Sequence, residues 1–137
     1  MARTVLLDTG FLVALVDPRD RDHERCRSVW SELRAHFLST EGVLVEAAHL
    51  LRKRPGTFER AVNIVRSVET SFVPSDAPRL DRAVRHMKRY HDVPMDLVDA
   101  LLVTIAEDAQ VDEVLTLDRR GFETYRFGGK RRFSLLP

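Results

Sequence analysis

Four acidic residues of the 137-residue chain occupy positions where their carboxylates could act together. Asp8 and Asp118 each follow a short apolar run that predicts a β-strand, while Glu46 and Asp99 interrupt the apolar stretches of predicted helices. Because the carboxyl ends of parallel strands meet at one edge of an α/β sheet, Asp8 and Asp118 face a common crevice if their strands are neighbours. An acid within an apolar stretch is costly unless it is paired, hydrogen-bonded or bound to a cation.

Carboxylates that converge repel one another, and a hard divalent cation relieves that repulsion. Mg²⁺ and Mn²⁺ prefer carboxylate oxygens and keep several of their own waters. A water bound in this way becomes a nucleophile at neutral pH, and the cation stabilises charge on phosphoryl oxygens. The four acids therefore predict a hydrolase of phosphodiester bonds with Mg²⁺ or Mn²⁺ as its cofactor.

Each acid also has a purely structural interpretation that the sequence leaves open. Asp8 could cap the helix that follows it, Asp118 could belong to a turn, and Glu46 could pair with a nearby cation such as Arg52. Asp96 and Asp99 stand three residues apart at a predicted helix start, which is the spacing of a capping pair. The order of the acids along the chain, rather than any one of them, indicates a site.

The elements that must position these acids alternate along the chain. Strands are predicted at 5–7, 37–40, 72–73 and 114–117, with a fifth at 132–135 on an edge. Helices are predicted at 11–16, 22–35, 41–54, 57–68 with Thr57 as its cap, 76–90 and 95–109. Strands separated by helices imply right-handed crossovers and a mostly parallel sheet. The prediction is one three-layer α/β/α domain over residues 1–137, with four to five short strands.

The ordered set of motifs resembles the PIN-domain ribonucleases, and among them the VapC toxins of bacterial and archaeal toxin–antitoxin pairs. The likeness lies in Leu7-Asp8-Thr9-Gly10-Phe11-Leu12-Val13-Ala14-Leu15, Asp22-His23, Glu46, Pro94–Leu101 and Val114–Phe122, and it spans essentially the whole chain. The resemblance implies a PIN-like fold and a Mg²⁺- or Mn²⁺-dependent endoribonuclease. The catalytic residues that it implies are Asp8, Glu46, Asp99 and Asp118.

The same resemblance assigns roles within the acidic site. Asp8, Asp99 and Asp118 would hold the metal, and Asp96 would be an accessory ligand. Thr9 and Thr116 would orient Asp8 and Asp118 through their hydroxyls.

Partners also follow from the resemblance. Members of the family usually dimerise and are inhibited by a small antitoxin whose C-terminal segment covers the acidic groove. We therefore expect an RNA substrate, a VapB-type antitoxin, a homodimer, and a heterotetramer or larger assembly with the antitoxin. The apolar runs are far shorter than a membrane helix needs, and Asp8 interrupts the first of them, so a cytoplasmic protein without membrane contact is expected.

Two groups of basic residues predict where RNA is bound. They are Arg52, Lys53 and Arg54 after Glu46, and Arg119, Arg120, Lys130, Arg131 and Arg132 after Asp118. Both groups are expected to border the acidic crevice and to contact phosphates on either side of the scissile bond. Because the net charge is only +1, the distribution of charge rather than its total points to RNA.

Several other classes of site are excluded by the sequence. The single cysteine, Cys26, cannot form an internal disulfide, and the five histidines lack the spacing of zinc ligands. The chain has no glycine-rich Lys-Ser/Thr phosphate loop, and Asp8 lacks the second acid expected of Asp-x-Asp phosphatases and receiver domains. The alternative that stays open is a catalytically silent PIN-fold module that binds RNA without cleaving it.

Overall fold

The structure, a computed structural model that describes residues 3–137, is built around a five-stranded parallel sheet. The strands are β1 (Thr4–Leu7), β2 (His36–Ser39), β3 (Thr70–Phe72), β4 (Glu113–Leu115), β5 (Arg126–Phe127), β6 (Arg131–Arg132) and β7 (Ser134–Leu136). The sheet has the order β3-β2-β1-β4-β7, while β5 and β6 form a separate antiparallel hairpin. The predicted parallel sheet is confirmed, with β7 as its edge.

Helices connect the strands and cover both faces of the sheet. They are α1 (Thr9–Val16), α2 (His23–Glu32), α3 (Glu41–Leu50), α4 (Thr57–Ser67), α5 (Ala77–Arg89), α6 (Leu97–Ala109) and α7 (Arg119–Thr124). Most side chains of α1 and α6 are buried, as their continuous apolar sequences predict. The charged α5 buries only Ala83 and packs on the outside of α6. No helix of residues 3–137 is long and apolar enough to cross a membrane.

The register of the central strands brings the candidate site together. Val5, Leu6 and Leu7 are fully buried because β1 lies between β2 and β4 with helices on both faces. Leu7 is level with Leu115 of β4, and the N–H of Asp8 donates to the carbonyl of Leu115 at 3.0 Å. The residues that follow β1 and β4 therefore meet at one edge of the sheet, as predicted.

Some boundaries differ from the prediction for local reasons. The helix that carries Glu46 ends at Leu50, so Arg52 and Lys53 lie in a turn and not in the helix. The cap of α4 is Gly56, with φ of +84°, and the hydroxyl of Thr57 donates to the carbonyl of Arg54 at 2.6 Å. The short helix α7 and the β5–β6 hairpin were not predicted, since each contains too few residues for a periodic pattern.

Candidate active site

Asp8 is the most deeply buried acid of the site, with only 6% of its surface exposed. Its Oδ1 accepts the N–H of Thr9 at 2.8 Å and caps α1, and its Oδ2 accepts the hydroxyl of Thr116 at 2.7 Å. Burial raises the pKa of Asp8 to about 6, since it outweighs these two hydrogen bonds and adds to repulsion from Asp118 and Asp96. Asp8 is thus a helix cap and also a buried carboxylate whose ionised form is disfavoured.

Thr116 connects the ends of the two central strands. It follows β4 and is 2% exposed, and its hydroxyl donates to Asp8 while accepting the N–H of Asp118 at 3.0 Å. Its predicted role beside Asp8 and Asp118 agrees with this geometry. The hydroxyl of Thr9 instead donates to Oε1 of Glu46 at 2.7 Å, so Thr9 orients Glu46 with its side chain and contacts Asp8 only through its backbone.

Asp96 and Asp99 form the capping box that their spacing allows. The N–H of Asp99 donates to Oδ1 of Asp96 at 2.8 Å, and the N–H of Asp96 donates to Oδ2 of Asp99 at 3.2 Å. Capping does not remove their mutual repulsion. Burial, together with the negative charges of Asp8 and Asp96, raises the pKa of Asp99 to about 8.

Asp118 caps α7, and the helix folds closely around it. Oδ1 of Asp118 accepts the N–H of Gly121 at 3.1 Å. A Cβ at position 121 would overlap the Asp118 carboxylate and would lie 2.9 Å from Oη of Tyr125, so only glycine fits here. The fully buried Tyr125 donates its hydroxyl to Oδ2 of Asp99 at 3.2 Å.

Sequence reasoning did not identify Tyr125 as part of the site. The only signal for it was its spacing of three residues from Phe122, which places both rings on one face of a short helix. That signal indicates a core residue, and it does not predict that the hydroxyl reaches an acid on α6.

The acids of the site have no cationic partners in the part of the chain that the structure describes. Those without an ion pair are Asp8, Glu46, Asp96, Asp99 and Asp118. Arg52, the cation considered for Glu46, donates instead to the carbonyl of His49 at 2.6 Å. Among residues 3–137, the site therefore holds acids that are oriented by hydrogen bonds but not paired with cations.

The donor chemistry of the site fits a hard divalent cation. Asp8, Asp96, Asp99 and Asp118 lie close enough for their charges to shift the pKa of Asp8 and Asp99 upward. Within residues 3–137, however, no group of three or more Asp, Glu, His or Cys side chains is arranged to hold a metal ion. Unpaired carboxylate oxygens are the ligands that Mg²⁺ and Mn²⁺ prefer, so these residues suit such an ion by type.

The predicted basic residues fall at different distances from the acids. Arg119 and Arg120 follow Asp118 directly; Arg119 pairs with Glu123 at 3.1 Å, whereas Arg120 has no side-chain partner among residues 3–137. On the β5–β6 hairpin, Arg131 donates to Gln110 at 2.8 Å.

That contact places Arg131 far from the crevice. Gln110 follows the last residue of α6 and Asp99 lies in its first turn, so the two are separated by about 16 Å along the helix. The expectation that Arg131 borders the crevice is therefore corrected, because its side chain is held at the C-terminal end of α6. Binding of RNA by Lys130, Arg131 and Arg132 stays a prediction.

The basic group after α3 is also partly engaged in structural contacts. Arg54 pairs with Asp17 at 2.5 Å, and Asp17 ends α1 at the opposite end from Thr9. Lys53 is exposed and has no side-chain partner within the described residues. Arg54 thus holds the turn against the end of α1, whereas Arg52 and Lys53 have no acidic partner among residues 3–137.

Comparisons with known proteins agree with the fold described above. A sequence model of the PIN domain matches residues 5–128. Ribonuclease VapC26 of Mycobacterium tuberculosis is 25% identical over 136 residues, which cover 97% of this chain and 100% of that protein. The resemblance inferred from the sequence is confirmed.

Solved structures share the fold. The Mycobacterium tuberculosis protein VapC20, described as a sarcin–ricin loop cleaving toxin, has a TM-score of 0.74 at 21% identity, over 85% of this chain and 92% of that one. VapBC2 from Rickettsia felis, solved bound to a DNA fragment from their promoter, has a TM-score of 0.64 at 12% identity, over 98% of this chain and 99% of that one. At these identities the likeness establishes the architecture.

Proposed function

Because the chain belongs to the PIN-domain family, we propose that it is a Mg²⁺- or Mn²⁺-dependent endoribonuclease of the VapC toxin type. The observation that carries the proposal is the group of carboxylates at the carboxyl ends of β1 and β4 that repel one another without a cationic partner. Burial and neighbouring charges raise the pKa of Asp99 to about 8, so the ionised site is unfavourable until a cation is bound.

The catalytic residues in this proposal are Asp8, Glu46, Asp99 and Asp118. Asp8, Asp99 and Asp118 hold the metal, with Asp96 as an accessory ligand. A bound divalent cation would supply an activated water and stabilise charge on the phosphoryl oxygens.

The surrounding residues orient these acids. Thr116 keeps Asp8 and the backbone of Asp118 in a fixed relation. Thr9 orients the carboxylate of Glu46, which would accept a proton from the attacking water.

RNA is proposed to enter beside α7. Arg120 is exposed, carries an uncommitted guanidinium and follows Asp118 by two residues. A guanidinium binds phosphate and stacks on unpaired bases, as recognition of single-stranded RNA requires. Lys130 and Arg132 contact RNA only where the strand extends along α6.

An inhibitory VapB-type antitoxin completes the proposal, and the structural neighbour VapBC2 supports it. Beside Glu46, an open groove of about 470 Å³ is lined by α1 and α3. Val45 is 70% exposed and Leu50 is 59% exposed at its wall, so an apolar segment of the antitoxin would find partners there. Homodimers, and a heterotetramer or larger assembly with the antitoxin, are proposed on the family resemblance.

The testing experiment is cleavage of total bacterial RNA by the purified protein. Wild type is incubated with Mn²⁺ or Mg²⁺, and in a separate reaction with EDTA. The variant Asp99→Asn is incubated with the same metals. The matched control is Asp108→Asn, which changes the same residue type on the same helix. Discrete fragments that disappear with EDTA and with Asp99→Asn, but persist with Asp108→Asn, support a metal-dependent endoribonuclease. RNA binding by wild type without cleavage in saturating metal would favour the silent binding module.

A further inference from the structure

Tyr125 follows α7, and its side chain reaches back into the acidic site. The residue is fully buried, and its ring packs edge-on against Tyr90 and Phe122, with centroid distances of 5.2 Å in both pairs. Its hydroxyl donates to Oδ2 of Asp99 at 3.2 Å. The aromatic packing thus fixes the position of a hydroxyl that contacts an acid on a different helix.

Gly121 makes room for this hydroxyl beside a second acid. A Cβ at position 121 would lie 2.9 Å from Oη of Tyr125 and would overlap the carboxylate of Asp118. The hydroxyl is therefore adjacent to both Asp99 and Asp118. A tyrosine hydroxyl carries a proton at neutral pH, so it acts as the donor toward the Asp99 carboxylate.

The hydrogen bonds of Asp99 are distributed unevenly over its two oxygens. Oδ2 accepts both the hydroxyl of Tyr125 and the N–H of Asp96, each at 3.2 Å. Oδ1 accepts no hydrogen bond from residues 3–137. The two donors on Oδ2 determine how the carboxylate is turned and leave Oδ1 unshared.

We propose that Tyr125 is a positioning residue of the acidic site, whose hydroxyl holds the Asp99 carboxylate in the orientation that keeps Oδ1 available to a divalent cation. The inference rests on the proposed function. Partners that orient metal ligands through a second hydrogen bond contribute to metal affinity without touching the metal. Tyr125 does so from the position that follows α7, and therefore couples the segment after Asp118 to the start of α6.

The two tyrosines of the chain provide a matched pair of variants. Tyr125→Phe removes the hydroxyl on Asp99 and keeps the ring. Tyr90→Phe removes a hydroxyl from the adjoining ring, where it accepts the N–H of Arg126 at 3.0 Å. We expect Tyr125→Phe to weaken Mn²⁺ binding by about 10-fold in calorimetry. Tyr90→Phe should leave that affinity unchanged.

Two further readouts separate positioning from a merely structural role. In Tyr125→Phe, the Mn²⁺ concentration for half-maximal RNA cleavage rises in parallel with the Kd for Mn²⁺. The kcat at saturating Mn²⁺ stays near that of wild type, because Asp99 itself remains. The gain in Tm that Mn²⁺ produces shrinks. A merely structural hydroxyl would lower Tm equally with and without Mn²⁺ and leave the Kd unchanged, and that result overturns the inference.

A second measurement covers the case in which Tyr125→Phe does not fold. In the Tyr90→Phe background, 3-fluorotyrosine labels Tyr125 alone, and its ¹⁹F resonance should move when Mg²⁺ is added. A resonance that is insensitive to saturating Mg²⁺ overturns the inference. If wild type neither binds Mn²⁺ nor cleaves RNA, the proposed function fails as well; if wild type does both and Tyr125→Phe is identical to it, only the positioning role fails.

Discussion

The two ends of α6 carry acidic residues in opposite electrostatic surroundings, and the C-terminal end is neutralised by cations of α5. The side chains of this network are Glu107, Asp108, Arg79, Arg82 and His86. Arg82 donates to Asp108 at 2.7 Å and to Glu107 at 3.1 Å. Burial alone would raise the pKa of Asp108, but its hydrogen bonds to Arg82 and Arg79 outweigh burial and lower it.

At the N-terminal end of the same helix, no cation of residues 3–137 pairs with the acids. Asp99 receives a tyrosine hydroxyl and a backbone N–H, and its pKa is raised to about 8 by burial and by the charges of Asp8 and Asp96. The helix dipole favours an acid at this end and disfavours one at the other. The cations of α5 therefore pair with the acids at the C-terminal end of α6, where the helix dipole disfavours negative charge. The Asp99 carboxylate, by contrast, is oriented by two hydrogen bonds and has no cationic partner among residues 3–137. A carboxylate in this state is suited to bind an external cation.

The largest effect that distinguishes the two ends is on RNA cleavage. Asp8→Asn, Asp99→Asn and Asp118→Asn should each lower the cleavage rate by more than about 100-fold, because each removes a carboxylate that is proposed to hold the metal. Asp108→Asn should retain cleavage. Rates are measured on one RNA substrate at saturating Mn²⁺, with circular dichroism to confirm folding. Full activity in any two of the three site variants would refute the site assignment.

The comparison also predicts opposite effects on stability in the absence of metal. Asp99→Asn keeps an oxygen for both donors and removes a carboxyl group whose ionisation the folded state disfavours, so it should stabilise the protein by about 1–3 kcal/mol. Asp108→Asn removes one side of a partly solvated ion pair and should destabilise it by about 0.5–1 kcal/mol. Urea unfolding in EDTA measures both values. Equal signs for the two variants would contradict the electrostatic distinction between the two ends.

The stability gained by Asp99→Asn should depend on pH. Folding raises the pKa of Asp99 from 3.8 to about 8, so the native state binds this proton more tightly than the unfolded chain. The stability that the proton contributes is complete below pH 3.8 and is lost as the pH rises to about 8.

The corresponding measurement is the difference in unfolding free energy between Asp99→Asn and wild type, in EDTA, from about pH 5 to about pH 8. We expect the difference to increase with pH by at most about 1.4 kcal/mol per pH unit. Asp108→Asn serves as the control without this rise. A difference that is constant over the range would show that Asp99 does not titrate there.

Much of the sheet could be predicted because its central strands and buried helices have strong apolar patterns. Val5–Leu7 and Val114–Leu115 are apolar runs in a chain that alternates strands with helices, and their adjacency places Asp8 beside the segment of Asp118. The capping geometry of Asp96 and Asp99 follows from a spacing of three residues.

The rest depends on short elements that have no periodic signal. Tyr125 meets Asp99 across 26 residues of sequence, through a six-residue helix that packs around Gly121. Arg131 follows Arg120 closely in sequence but lies at the other end of α6, because a two-stranded hairpin redirects the chain. Clustering in sequence therefore identifies a basic group without giving its position in the fold.

The smallest predicted effect extends the comparison from the acids to the cations. Arg82 is engaged by Glu107 and Asp108, whereas Arg120 is uncommitted beside the site. In an Asp99→Asn background that prevents cleavage, Arg120→Gln should reduce the slope of log affinity for RNA against log salt by about 0.7–1 in magnitude, since one phosphate contact is lost. Arg82→Gln should leave the slope unchanged because its charge is already neutralised. Arg132→Gln should change the slope only with RNA long enough to reach the hairpin. A slope that Arg120→Gln does not alter would exclude that guanidinium as a phosphate contact and place the RNA path away from α7.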